Sequence, residues 1–143
     1  MVSGNDVRPI EIRLPSDTSV LEPLQLIIEA VGKSAEVEED ELSLLSVSVV
    51  ELAKNAMEHG NKNDPEKIVT ISFDIFPNRI RFHIDDEGSW EPEKALGFNP
   101  GEGKELLLTR GRGVLIARNL AKWVEFGLTP EGKTRVTLIW PLN

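Results

Sequence analysis

The chain contains no cysteine. Disulfides, thiolate metal sites and cysteine nucleophiles are excluded with it. Histidine occurs twice, as His59 and His83, too few for a histidine-rich metal centre. Basic residues number 16 against 24 acidic ones, a formal net charge of −8. A field of that sign repels nucleic acid and anionic lipid, and no run of Lys and Arg offers a local exception. No apolar stretch approaches the ~20 residues of a membrane span. The opening MVSGNDVRPIEIRL lacks the basic start and long apolar centre of a signal peptide. These absences lead to the expectation of a soluble, cytoplasmic protein that touches neither nucleic acid nor membrane directly.

What is present is enough for one domain with one core: 143 residues, 40% of them apolar. The domain is expected to span residues 1–143, with 1–7 a polar and mobile lead-in. Ile10, Ile12 and Leu14 alternate, as in a strand. Asp17, Thr18 and Ser19 are candidate helix caps before Leu21, Leu24, Ile27, Ile28 and Val31, which recur at helical spacing. Pro23 fits the first turn of that helix and Gly32 its end. A second helix is expected from about Asp40 to about His59, with Gly60 just past it. Its apolar stripe is Leu42, Leu45, Val49, Leu52, Ala53 and Ala56, and Glu51, Lys54, Asn55 and Glu58 lie opposite.

Val69, Ile71, Phe73 and Ile75 then alternate, Pro77 and Asn78 turn the chain, and Ile80, Phe82 and Ile84 alternate back, a hairpin. A long loop rich in Gly, Glu and Pro leads to GRGVLIARNLAKW, a third helix opening behind two glycines. Val124, Phe126 and Leu128 pair with the run Val136, Leu138, Trp140 across TPEGK. Strands grouped with helices between them indicate an α+β two-layer sandwich, a mixed and mostly antiparallel sheet with helices on one face.

Three features stand apart from core building. In VVELAKNAMEHG, Glu51, Asn55 and His59 form one row at four-residue spacing. A carboxylate there can take a proton from a hydroxyl, and an asparagine oxygen suits Mg²⁺; a merely solvated helix face has the same pattern. In IDDEGSW, a carboxylate after an apolar strand can accept a hydrogen bond from a ligand amine, with Gly88 allowing close approach; a plain turn looks the same. In TRGRGVLIAR, glycines at a loop–helix junction expose N–H groups to an anion, with Arg110 and Arg112 adding charge. No Gly-Lys-Ser/Thr follows, so it is not a P-loop, and the third glycine of a dinucleotide fingerprint is missing.

Taken in order, the three motifs resemble the GHKL ATPase superfamily, which includes histidine-kinase catalytic domains. The chain is more similar to the small anti-sigma factor serine/threonine protein kinases, over roughly residues 10–142. The resemblance implies a histidine-kinase-like ATPase fold that uses ATP and Mg²⁺. It implies that Glu51 is the general base, that Asn55 binds the metal, and that Asp86 holds the adenine amino group with Gly88 shaping the pocket. Gly111, Arg112 and Gly113 would hold phosphate, and Thr134 would lie near the adenine. Residues from about Trp90 to Arg110 would form the ATP lid. His59 is left between a ligand role and simple packing. The implied partners are an anti-anti-sigma antagonist of the STAS type and a sigma factor, with a homodimer as a family habit. The alternative is a non-catalytic nucleotide-binding module that acts by docking; a histidine-kinase catalytic domain fits less well, for want of a dimerisation helix. Three positions depart from the family pattern: Trp90 and Lys133 replace glycines, and Arg110 replaces a small residue.

Overall fold

The computed structural model describes residues 8–91 and 124–142. The expected third helix, the phosphate-loop residues Gly111, Arg112 and Gly113, residues 1–7, and the lid beyond Glu91 lie outside the described residues. Strand β1 (Arg8–Pro15) leads through a 3₁₀ turn (Thr18–Val20) into helix α1 (Leu21–Ser34). Helix α2 (Glu39–Asn55) continues into a π-helical turn (Ala56–Gly60). Strands β2 (Ile68–Phe76) and β3 (Arg79–Asp85) form the expected hairpin around Pro77 and Asn78. Strands β4 (Val124–Leu128) and β5 (Thr134–Pro141) form the second.

The five strands lie in the order β1-β2-β3-β5-β4, and every pairing among the described residues is antiparallel. Registry sets which side chains share a face. Ile71 opposes Ile84, Phe73 opposes Phe82, and Ile80 opposes Trp140, so the apolar alternation of β2, β3 and β5 falls on one side. That side and the inner faces of both helices form a single core. Phe73 and Phe82 meet edge to face at its centre, 5.4 Å apart. The other side carries Asp74, Arg81, His83, Asp85 and Arg135, tied by Arg81–Asp74 and Arg135–Asp85 ion pairs. Helices on one face of the sheet therefore holds for α1 and α2.

Helix α2 owes its place to burial. Ser43, Ser46, Val47, Ser48, Val49 and Val50 are indifferent helix formers. Leu42, Leu45, Val49 and Leu52 are buried at intervals of three and four. Each contributes about 1.5–3 kcal/mol, which outweighs propensity deficits of a few tenths per residue. The buried Ser46 and Ser48 hydroxyls donate back to the carbonyls of Ser43 (3.0 Å) and Leu44 (2.6 Å). Glu39, Asp40 and Glu41 fill the first turn, where the helix dipole favours them.

Four local expectations are corrected. Gly32 does not end α1; it lies within the last turn, where an added Cβ would come 2.6 Å from a Leu42 methyl, so its smallness serves helix packing. The second helix keeps α geometry only to Asn55 and widens to π geometry before Gly60. The Asp17 carboxylate accepts from Ser19 N, capping the 3₁₀ turn rather than α1 itself. Val124, Phe126 and Leu128 oppose Leu138, Val136 and Thr134, so Trp140 lies beyond β4 and meets β3 instead.

Candidate active site

The site is assembled where the end of α2 meets the loop after β3. The helix brings Glu51 and Asn55 one turn apart on the same side. Glu51 is half-buried, and among the described residues it has no hydrogen bond or ion pair. Asn55 is 8% exposed, and its Nδ2 has no partner among the described residues. A buried amide with unmet capacity costs about 1–3 kcal/mol in a resting fold. The unmet atom is a donor, the amide nitrogen.

Past Asn55 the π turn changes the helix surface, as such turns do at many functional sites. It delivers His59 and Gly60 against the loop. Gly60 lies so close to Asp86 that a Cβ would meet all three carboxyl atoms at 2.1–2.5 Å. Gly88 faces Gly60 in turn, since its own added Cβ would fall 2.2 Å from the Gly60 carbonyl oxygen. Gly88 is thus kept bare by the helix end that lies against it. The two glycines clamp the loop and leave Asp86 only 4% exposed.

The two acids of the IDDEG run are separated by strand alternation. Asp85 points to the open face and takes a bidentate pair from Arg135, at 2.8 and 2.9 Å. Asp86 turns inward. Its Oδ1 accepts from Gly88 N (2.8 Å), and its Oδ2 accepts from the Trp90 indole Nε1 (2.6 Å). Burial pushes the Asp86 pKa above the ordinary carboxylate value; the donors Trp90 and Gly88 pull it back in part. The Trp90 ring also stacks on His59, with centroids 5.2 Å apart and planes at 20°.

Thr134, fully buried, pins this loop to β5. Its N donates to Gly88 O (3.0 Å) and its carbonyl accepts from Asp86 N (3.2 Å). Its hydroxyl accepts from Trp90 N (3.0 Å) and stands within reach of the carbonyls of Trp90 and Gly88. The structure therefore brings Asp86, Gly88 and Thr134 into one cluster. It places Glu51 and Asn55 on the helix that leads to that cluster through His59.

Two participants carried no motif signal. Asn61 is completely buried and bonded on every side. Its Nδ2 donates to Ser16 Oγ (2.9 Å) and Ile68 O (3.1 Å), and its Oδ1 accepts from Glu87 N (2.7 Å). It joins the ends of β1 and α2 to the loop bearing Asp86. The signal that could have found it is an Asn directly after the helix-ending glycine. Trp90 is the other: sequence marks it as a departure from a glycine, and the structure makes it the partner of Asp86.

The arrangement suits a flat heteroaromatic ring carrying an N–H donor, since the chain's own indole already meets both conditions. An adenine base has the same two properties. The family model of the histidine kinase-like ATPase domain matches residues 14–140. The chain belongs to that family. An ATPase domain implies the use of ATP.

Relatives agree with that assignment. The chain is 29% identical over 117 residues to the serine-protein kinase RsbW of Staphylococcus epidermidis, covering 78% of this chain and 74% of the relative. It is 26% identical over 121 residues to RsbW of Bacillus subtilis strain 168, covering 81% and 76%. The fold is similar to that in the crystal structure of the SiaB-SiaC complex from Pseudomonas aeruginosa, with a TM-score of 0.61 at 13% identity, over 93% of this chain and 89% of that one. It is also similar to the RsbU and RsbW domains of Rv1364c from Mycobacterium tuberculosis, with a TM-score of 0.57 at 16% identity; there it covers 93% of this chain and 32% of the other. These likenesses establish the α+β histidine-kinase-like ATPase fold. No helix among the described residues is long and apolar enough to cross a membrane.

Proposed function

We propose that this protein is an anti-sigma regulatory factor with ATP-dependent serine/threonine kinase activity. Its protein substrate is an anti-anti-sigma antagonist of the STAS type, and its other partner is a sigma factor. The observation that carries the reading is the row Glu51–Asn55–His59. It leads along one helix from a free carboxylate, past an unpaired buried amide, to a ring stacked on the indole that Asp86 holds. The kinship with serine-protein kinases of the RsbW type supports the choice of acceptor and partners.

Bound ATP with Mg²⁺ supplies the transferable phosphoryl group and the counter-charge that phosphoryl transfer needs. The residues present fit that pair. Asp86 accepts the amino group of the base. Gly60 and Gly88 fix the position of that carboxylate, and Thr134 fixes the loop around it. Asn55 offers the amide oxygen of a buried side chain to the metal. No group of three or more His, Cys, Asp or Glu gathers as a metal site among the described residues. That matches a magnesium ion held mainly by phosphate oxygens, water and one or two protein ligands. Gly111, Arg112 and Gly113 are proposed to hold phosphate through backbone N–H groups and charge. Glu51, half-exposed and uncommitted, takes the proton of the acceptor hydroxyl.

The test is phosphate transfer from Mg-ATP to the cognate antagonist by wild type and by Glu51→Ala. Loss of transfer in the variant, by about 10²-fold or more, with ATP still bound by calorimetry, is the expected result. Equal transfer by both proteins removes Glu51 from the role of base. Absence of any ATP binding to the wild type would point instead to a module acting by docking alone.

A further inference from the structure

We propose that Trp90 is a built-in occupant of the purine position, and that nucleotide binding proceeds by rotating its indole off Asp86 and His59. The inference rests on the reading of Asp86 as the adenine acceptor given above. It goes beyond that reading because it assigns the resting site a competitor from the chain itself.

Three observations carry it. First, the indole presents to Asp86 the kind of contact a purine amine would make, a ring-borne N–H donor at 2.6 Å from a carboxylate oxygen. Second, both oxygens of the acceptor are engaged in this state, and Asp86 is only 4% exposed. Oδ1 is taken by Gly88 N and Oδ2 by the indole, while Gly60 seals the flank so closely that not even a methyl group fits. A second flat ring cannot reach the carboxylate while the first remains. Third, the indole lies nearly parallel to the His59 ring, at 20°, so the stacking surface is covered as well.

The exit is also visible. The Trp90 backbone is fixed, with its N–H donating to Thr134 Oγ1 and the Thr134 hydroxyl within 3.2 Å of its carbonyl. The Asp86–Gly88 turn is fixed by Thr134 and Asn61. Only rotation about the Trp90 side-chain bonds is needed, so a bound base finds the acceptor already in position. Such an occupant lowers the apparent affinity by the fraction of molecules in which it is out of the way. A glycine here would leave the site permanently open; a tryptophan sets a threshold that nucleotide must exceed.

The experiment uses the full chain as wild type, Trp90→Phe and Trp90→Ala, with ATP and Mg²⁺ as the probe. Affinity is measured by calorimetry, and the tryptophan emission of wild type minus Trp90→Phe isolates the Trp90 signal. Two results are expected. Added ATP shifts that difference emission to the red and raises its quenching by acrylamide. Trp90→Ala binds ATP at least about tenfold more tightly than wild type, the weight of one hydrogen bond to a charged acceptor. Trp90→Phe, which keeps the stacking but loses the N–H, falls between them.

If Trp90→Ala binds ATP equally or more weakly and the Trp90 emission ignores nucleotide, the indole is no competitor, and the nucleotide site itself still stands. If no variant binds ATP and Asp86→Asn changes nothing, the site reading fails and this inference fails with it. Should the alanine variant not fold, the emission of wild type and the affinity of Trp90→Phe decide the question alone.

Discussion

Asn61 offers the sharpest check on how the site is held. Replacing it by alanine removes three hydrogen bonds, to Ser16 Oγ, Ile68 O and Glu87 N. Ser16 keeps its bond to Lys67 O, at 2.8 Å, so it is not stranded. Each lost bond is worth about 0.5–1.5 kcal/mol net, and more where the abandoned group stays dry. The total is about 3 kcal/mol, or a fall in Tm of about 10 °C for a chain of this size. Urea unfolding followed by circular dichroism measures it directly.

Asn61→Asp has a different signature. A carboxylate there keeps the acceptor for Glu87 N but turns a donor into an acceptor 3.1 Å from the Ile68 carbonyl. Complete burial and that repulsion both raise its folded pKa above the unfolded value of about 3.9. An acid with a raised folded pKa is relatively stabilised below its unfolded pKa, and that advantage is lost as pH rises through the folded value. The aspartate variant should therefore be weaker than alanine near pH 7 and recover toward wild type near pH 4, when its O–H can again donate. The alanine deficit, measured against wild type at each pH, should stay constant. A loss below about 0.5 kcal/mol in the alanine variant, or an aspartate deficit independent of pH, would refute the claim that this amide ties the loop to the sheet and helix.

Other expectations follow from single contacts. Gly88→Ala places a methyl against the Gly60 carbonyl and should cost about 2–3 kcal/mol in urea unfolding, whereas Gly127→Ala, with nothing within 4 Å, should cost nothing. Asn55→Ala should abolish phosphoryl transfer yet leave the fold equally or more stable by about 1 kcal/mol, because it removes an unpaired buried amide and introduces a better helix former. His83, whose ring bonds Thr137 at 2.9 Å, has its pKa lowered by burial and by Arg135 and Arg81. A base with a lowered folded pKa contributes stability that is complete above 6.5 and lost as pH falls through the folded value. Wild type should thus weaken on acidification below 6.5 more than His83→Gln does, as denaturation midpoints across that window will show.

The architecture was legible because periodicity reports faces. The alternating apolar residues of β2, β3 and β5 declared which side of the sheet is dry, and the stripe from Leu42 to Ala56 declared which side of α2 packs on it. Glu51, Asn55, Asp86 and Gly88 stood out by motif, and Thr134 only through the family resemblance. What periodicity does not encode is where two distant backbones touch. That Gly60 must be bare because of Asp86, and Gly88 because of Gly60, follows only from the approach of α2 to the loop after β3. Gly32 misled for the same reason: a glycine near a helix end suits a cap, but here the next helix needed the space. The π turn was hidden because its residues read as ordinary helix, although it sets the direction of His59. Asn61 was hidden because it joins Ser16 and Glu87, far away in sequence, and the role of Trp90 was hidden because its contacts with Asp86, His59 and Thr134 depend on how the loop after β3 folds back.

These details divide the site into two parts with opposite physics. Around Asp86 the described polar groups are engaged with one another. The carboxylate, the loop amides, the Thr134 hydroxyl and Asn61 are mutually bonded, and two bare glycines leave no room for slack. One helical turn away, Asn55 has an unmet amide nitrogen and Glu51 is uncommitted. A base is recognised by shape and one donor, so its end gains from rigidity fixed in advance. Metal, phosphate and an acceptor hydroxyl come and go during turnover, so groups tied to the protein could not serve them without breaking bonds each cycle. Rigidity at one end and unspent capacity at the other is consistent with the positioning and electrostatic roles that the proposed phosphoryl transfer would ask of the chain. On the proposed reading Trp90 fits that division: its indole engages the carboxylate assigned to the base, through a side chain that can leave while its backbone stays.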